Sequence, residues 1–146
     1  MAFGKGGFCM PQNHEAIQFL SLAQDDAYVC HTLIKDPDAS SRIIGFHTQQ
    51  AIEKAFKAIL IGKNIAPART HDLTELAYII EENGIELPIS VSKLAFLSPY
   101  AVTLRYGGEV DGALTPEEAC DLMDTVLRFT KEWLDREGNS SPHEDA

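Results

Sequence analysis

Four polar side chains interrupt an otherwise apolar stretch in the second quarter of the chain: His47, Gln50, Lys54 and Lys57. Their spacing of three, four and three stacks them in one narrow strip if the stretch is a helix. Two ammonium groups, a carboxamide and an imidazole in such a strip offer several convergent donors to a phosphate or a base edge. Arg42 and His47, five residues apart, have a second chemical capacity. A histidine can act as general acid or base while an arginine stabilises the charge of a phosphorane-like transition state.

Other chemistries find little in the residues. None of His14, His31, His47, His71 and His143 has a glutamate three residues before it, the pattern a carboxylate-bridged di-metal centre in a helical bundle needs. Zinc spacing is also missing, so no metal and no cofactor are expected. Gly4-Lys5-Gly6-Gly7 has neither the leading glycine nor the hydroxyl residue of a phosphate loop. The three cysteines, Cys9, Cys30 and Cys120, are odd in number and far apart. They argue against a disulfide framework and for a reducing, cytoplasmic setting.

The strip needs elements to carry it, and the pattern of the chain is helical almost throughout. A first helix is expected from about Asn13 to Ile34, with Asn13 as N-cap and Ile17, Leu20, Ala23/Gln24, Ala27 and Leu33/Ile34 facing inward. Asp36-Pro37-Asp38 ends it. The second helix, Ser40 to Lys63, carries the strip, and its broad apolar arc of Ile44, Ala51, Ile52, Ala55, Phe56 and Ile59 marks it as central. A third begins at Asp72, with Glu75 placed to reach back to the cap amide, and stops at Asn83-Gly84. Short helices are expected around Ser90–Tyr106, broken at Ser98-Pro99. Thr115-Pro116-Glu117-Glu118 then opens a last helix whose apolar face is Leu122, Val126, Phe129, Trp133 and Leu134.

No stretch alternates with period two, so no sheet is expected. The expected fold is all-α, an up-and-down four- to five-helix bundle over residues 13–137, between a flexible N-terminal arm (1–12) and a disordered tail (138–146). The 146 residues suit one domain, and no apolar run approaches the ~20 residues that span a bilayer, so no membrane partner is expected.

Charge is unevenly spread along the chain. The formal net charge is -10, yet residues 35–71 hold Lys35, Arg42, Lys54, Lys57, Lys63 and Arg69 against Asp36, Asp38 and Glu53, a local excess of positive charge. Residues 109–146 hold eleven acids against Arg128, Lys131 and Arg136. An acidic protein of this kind repels polyanions as a whole while its one basic segment could hold a small anion. On this reading Lys54 and Lys57 are exposed, salt weakens binding, and reversing both to glutamate abolishes binding at little cost in stability.

The stretch Phe46-His47-Thr48-Gln49-Gln50-Ala51-Ile52-Glu53-Lys54-Ala55-Phe56-Lys57-Ala58 resembles the hallmark helix of the HEPN domain family. The likeness continues through Gly62-Lys63, Arg69-Thr70-His71-Asp72-Leu73, and Leu97-Ser98-Pro99-Tyr100-Ala101-Val102 with Arg105-Tyr106, and covers roughly residues 13–136. It implies a helical bundle, often a homodimer, many members being encoded beside a minimal nucleotidyltransferase in a toxin–antitoxin-type pair. It also implies nucleotide binding, with His47, Gln50, Lys54, Lys57, His71, Arg105 and Tyr106 as the residues holding a nucleotide or a partner. Other members are metal-independent ribonucleases with an arginine-to-histidine motif late in the bundle. Here Ile43 follows Arg42, where those enzymes usually have a polar residue, and Arg105 has no histidine at the required distance. The resemblance therefore favours a binding module over an enzyme. The alternatives are an RNA-cleaving toxin using Arg42 and His47, or a purely structural dimerisation bundle.

Overall fold

The computed structural model describes residues 10–66, 69–97 and 114–139, with side chains described from 14 to 138 of these. Among them are five helices and no strand: α1 (Met10–Leu33), α2 (Ser41–Gly62), α3 (Leu73–Glu82), the single turn α4 (Val91–Leu94) and α5 (Pro116–Asn139). Tyr100, Arg105, Tyr106, Cys9, the Ser98-Pro99 break and residues 140–146 lie outside the described residues.

α2 is the axis of the bundle. It packs on α1, α5 and α3, and α1 also touches α5. Cys30 approaches Ile44 and Thr48, whereas Asp26 approaches His47 and Lys54. The order of contacts reverses along the two helices, so α1 and α2 are antiparallel. α5 runs parallel to α2: His31, at the end of α1 that lies beside the start of α2, meets Asp124 of α5 at 2.8 Å, while Gly62 at the end of α2 faces Trp133 and Leu134. α3 packs on α2 as well, and the connection before it brings His71 back beside Glu53. The expected core of α2 is buried in full: Ile44, Ala51, Ile52, Ala55, Phe56 and Ile59 are all 3% exposed or less.

Local chemistry explains most of the helix ends. The Ser40 hydroxyl accepts from the Arg42 amide and opens α2. α2 closes with Asn64 in the left-handed region (φ 67°), the Ile65 amide bonding back to the Leu60 carbonyl at 2.8 Å and the Asn64 amide to Ile61 at 3.0 Å. The same wrap closes α3 around Gly84 (φ 86°). At α5 the Thr115 hydroxyl accepts from the Glu118 amide at 3.1 Å while the Glu118 carboxylate accepts from the Thr115 amide at 2.8 Å. Removing that reciprocal cap with Thr115→Ala should cost about 1 kcal/mol in a denaturant titration.

Four expectations differ from the structure. α1 begins at Met10, so Asn13 lies inside the helix and is not its cap; Pro11 fits the first turn, whose amides have no acceptor within the helix. The buried seam of α1 is Ala16, Leu20, Ala23, Ala27 and Cys30, and Ile17 is 58% exposed and Gln24 exposed. Small residues win the seam because α2 opposes it with Ala51, Ala55 and Ala58, which lets the two backbones come close. At α3 the Asp72 carboxylate does cap Thr74 and Glu75, but the Asp72 amide donates to Thr70 Oγ1 at 3.0 Å, where the reach-back of Glu75 was expected. α5 also continues past Glu137 through Asn139.

Gly62 marks a close approach of α2 to α5. A Cβ built there would meet Leu134 Cδ2 at 2.9 Å and Trp133 Cζ3 at 3.0 Å. The Leu134 tip can swing away, but the Trp133 ring is 6% exposed and held in the core. Gly62→Val should therefore destabilise by about 1–3 kcal/mol, read as a lowered thermal midpoint.

Candidate functional site

The strip exists, and the structure gives it partners that the sequence reading did not include. Asp26 projects from α1 with its side chain only 11% exposed. One carboxylate oxygen meets His47 Nδ1 at 2.9 Å and the other accepts from Lys54 Nζ. Glu53, from the neighbouring face of α2, is 7% exposed. Its Oε2 accepts from Lys57 Nζ at 2.9 Å and from His71 Nδ1 at 2.8 Å. Gln49 ties the rest together, donating to the His71 carbonyl at 3.2 Å and accepting from Gln50 Nε2 at 2.7 Å.

Each buried carboxylate thus holds one ammonium and one imidazole. Lys54 and Lys57 are 29% and 14% exposed, so they are not the solvated cations expected, and the two carboxylates balance the two ammonium groups. Burial alone would raise the Glu53 carboxyl, but the hydrogen bonds and charges of Lys57 and His71 outweigh it and hold it below its ordinary 4.5. A carboxyl depressed by folding binds fewer protons folded than unfolded. Its contribution is complete above about 4.5 and is lost as the pH falls through the lower folded value. Denaturant midpoints should accordingly drop in acid below that point. Glu118, lowered by its bonds to Thr115, acts in the same direction, so Glu53→Gln should flatten only part of the slope.

Both imidazoles are fixed in the same sense. A carboxylate can only accept, so each Nδ1 carries the proton and each Nε2 is the free edge. Neither Nε2 has a partner among the described residues. The His71 side chain is 78% exposed and that of His47 29%, so His71 offers the more open edge. Arg42 is exposed in the first turn of α2, and five residues of helix set it about 140° from His47. The described structure does not bring Arg42 and His47 onto one face. His71 does join the strip, and Arg105 and Tyr106 lie outside the described residues.

Asp26, Gln49 and Glu53 are the site residues that the sequence reading missed. The signal was present in their positions, since Asp26 falls between Ala23 and Ala27 on a buried seam and Glu53 between Ile52 and Phe56. An acid on an apolar face needs a partner, and no buried side-chain nitrogen or oxygen among the described residues lacks one. Elsewhere a cleft of about 400 Å³ opens between α4 and α5, lined by Lys93, Glu118, Asp121 and Thr125 over Ile89 and Leu122. It shares no residue with the strip. No group of three or more potential metal ligands occurs among the described residues.

The HEPN domain family model matches residues 38–136, most of the chain. The chain belongs to the HEPN domain family. No curated protein and no solved structure matches it. The matched span of this HEPN domain holds the whole of α2 and α3 and most of α5, with His47, Gln50, Glu53, Lys54, Lys57 and His71 inside it. Asp26 lies outside the span, so α1 supplies the carboxylate that anchors half of the HEPN strip. None of the helices among the described residues is long and apolar enough to cross a membrane.

Proposed function

We propose that this HEPN domain is a homodimeric nucleotide-binding and interaction module that works with a minimal nucleotidyltransferase in a toxin–antitoxin-type pair. The supporting observation is the pair of imidazoles anchored through Nδ1 by buried Asp26 and Glu53, which aims two Nε2 edges outward beside Lys54, Lys57 and Gln50. Each ammonium has three protons and uses one on its carboxylate, so donors remain for a phosphate. Binding then depends on aimed donors and not on an excess of positive charge.

α1 offers a surface for such association. The apolar arc of α2 is consumed inside the bundle, but α1 leaves Ile17 and Tyr28 58% and 73% exposed. Eleven helical residues apart, they lie within about 20° of each other on one side. Such a face favours association with a second copy or a partner. Sedimentation equilibrium at roughly tens of micromolar should show the dimer mass, and monomer alone would count against this part.

Titration calorimetry with ATP tests the binding. The wild type should bind saturably, and a His47→Gln, His71→Gln chain at least ~10-fold more weakly, about 1.4 kcal/mol. Absence of wild-type binding rejects the reading. Asp26 orients His47 as a general base would be oriented, which is the one observation favouring a ribonuclease. RNA cleavage in chelator, lost in His47→Ala, would establish that reading instead.

A further inference from the structure

An exposed side chain needs no anchor to stay in solution, yet two buried polar residues of α2 hold one in place. The His71 side chain is 78% exposed, in the connection before α3. Its carbonyl accepts from Gln49 Nε2 at 3.2 Å, and its Nδ1 donates to Glu53 Oε2 at 2.8 Å. Gln49 and Glu53 are 2% and 6% exposed, and taking such groups out of water costs free energy that only their bonds offset. Backbone and ring of His71 are thus fixed at two points, while Nε2 presents a lone pair to solvent. A lone pair repels phosphate oxygens, but toward a phosphorus atom it is a nucleophile.

We propose, resting on the nucleotide-binding reading above, that His71 Nε2 accepts the terminal phosphoryl group of a nucleoside triphosphate. The Nε2 lone pair attacks the terminal phosphorus, the Nε2–P bond forms, and the bond from that phosphorus to the bridging oxygen breaks. The nucleoside diphosphate leaves with the electron pair of that bond. No proton has to move, because Nδ1 keeps its hydrogen and the ring becomes cationic. Glu53 faces that developing charge, as a buried carboxylate does behind the imidazole of a catalytic triad, and is the positioning residue. Lys57 donates to the same Oε2 at 2.9 Å, so an ammonium with further protons stands beside the ring for the polyphosphate oxygens. At the terminal phosphorus the other oxygens carry nothing further, so a ring fixed at the surface approaches in line without meeting the rest of the nucleotide. His47 is anchored in the same way, but its side chain is only 29% exposed, which leaves less room for a phosphoryl group.

Incubation of the native full chain with magnesium ATP labelled at its terminal phosphate, followed by peptide mapping in alkali, tests this. The expected product is one phosphoryl group on His71, stable in alkali and lost in acid as a nitrogen–phosphorus bond is. It should be absent from His71→Gln, an exposed substitution that leaves the fold intact by circular dichroism, and should stay on His71 in His47→Gln at saturating ATP. Glu53→Gln should label at least ~10-fold more slowly at saturating ATP, because the ring loses the carboxylate behind it. Label spread equally over His14, His31 and His71 is unaided surface chemistry and overturns the proposal, as does label that follows the α-phosphate. Saturable ATP binding in calorimetry with no label on His71 overturns this proposal and leaves the binding reading standing, whereas absence of binding removes both.

Discussion

Reversing Lys54 and Lys57 together to glutamate is expected to unfold the domain or come close to it. Each lysine is the ammonium partner of a carboxylate that is 11% exposed or less. Removing one partner of a buried pair costs about 3–5 kcal/mol, because the remaining charge is left without compensation. The reversal goes further, placing a second carboxylate against Asp26 and another against Glu53. Two such losses, on the order of 6 kcal/mol, are comparable with the whole stability of a domain this size. Far-ultraviolet circular dichroism in a urea titration reads the result directly. A variant within about 0.5 kcal/mol of wild type would mean that the lysines are surface groups and the ion pairs do not form. The gentler imidazole substitutions are therefore the ones suited to testing binding.

Phe56→Ala should be the most damaging single truncation in the core. Phe56 is fully buried on the central helix, within the cluster that unites all the helices. Deleting its ring loses the transfer free energy of the buried surface and leaves a void that close-packed neighbours fill only in part, about 3–5 kcal/mol. The urea midpoint should fall with the slope of the transition unchanged. Ile17→Ala is the matched control at concentrations low enough to keep the chain monomeric, where 58% exposure at Ile17 predicts a change within about 0.5 kcal/mol. Equal losses at the two sites would contradict the observed packing of α1 and α2.

The contrast between these two positions shows what the sequence makes legible. Phe56 stands in a broad apolar arc whose period admits one orientation, so its burial follows from spacing alone. Ile17 and Ala16 differ by one position, and periodicity weighted by hydrophobicity chooses the isoleucine. The choice fails because the seam is decided by how near α2 can come, and Ala51, Ala55 and Ala58 on the facing helix favour alanine. Capping was legible where the partners are local, as with Thr115 and Glu118. It was only half legible at Asp72, where Thr70 competes for the amide.

The candidate site followed the same rule. His47, Gln50, Lys54 and Lys57 share one helix, so their alignment could be read from their spacing. Their neutralisation could not, because Asp26 arrives from α1 and His71 from the connection before α3. The charge count of residues 35–71 excludes Asp26, and so it overstated the positive field at the strip.

The anchored imidazoles carry the functional proposal, and proton NMR of the histidine rings during an ATP titration tests them most directly. His47 and His71 should shift saturably and with one shared affinity, while His14 and His31, the latter bonded to Asp124, stay in place. Saturable ATP binding that leaves the His47 and His71 rings unmoved would contradict the assignment of the strip as the nucleotide site.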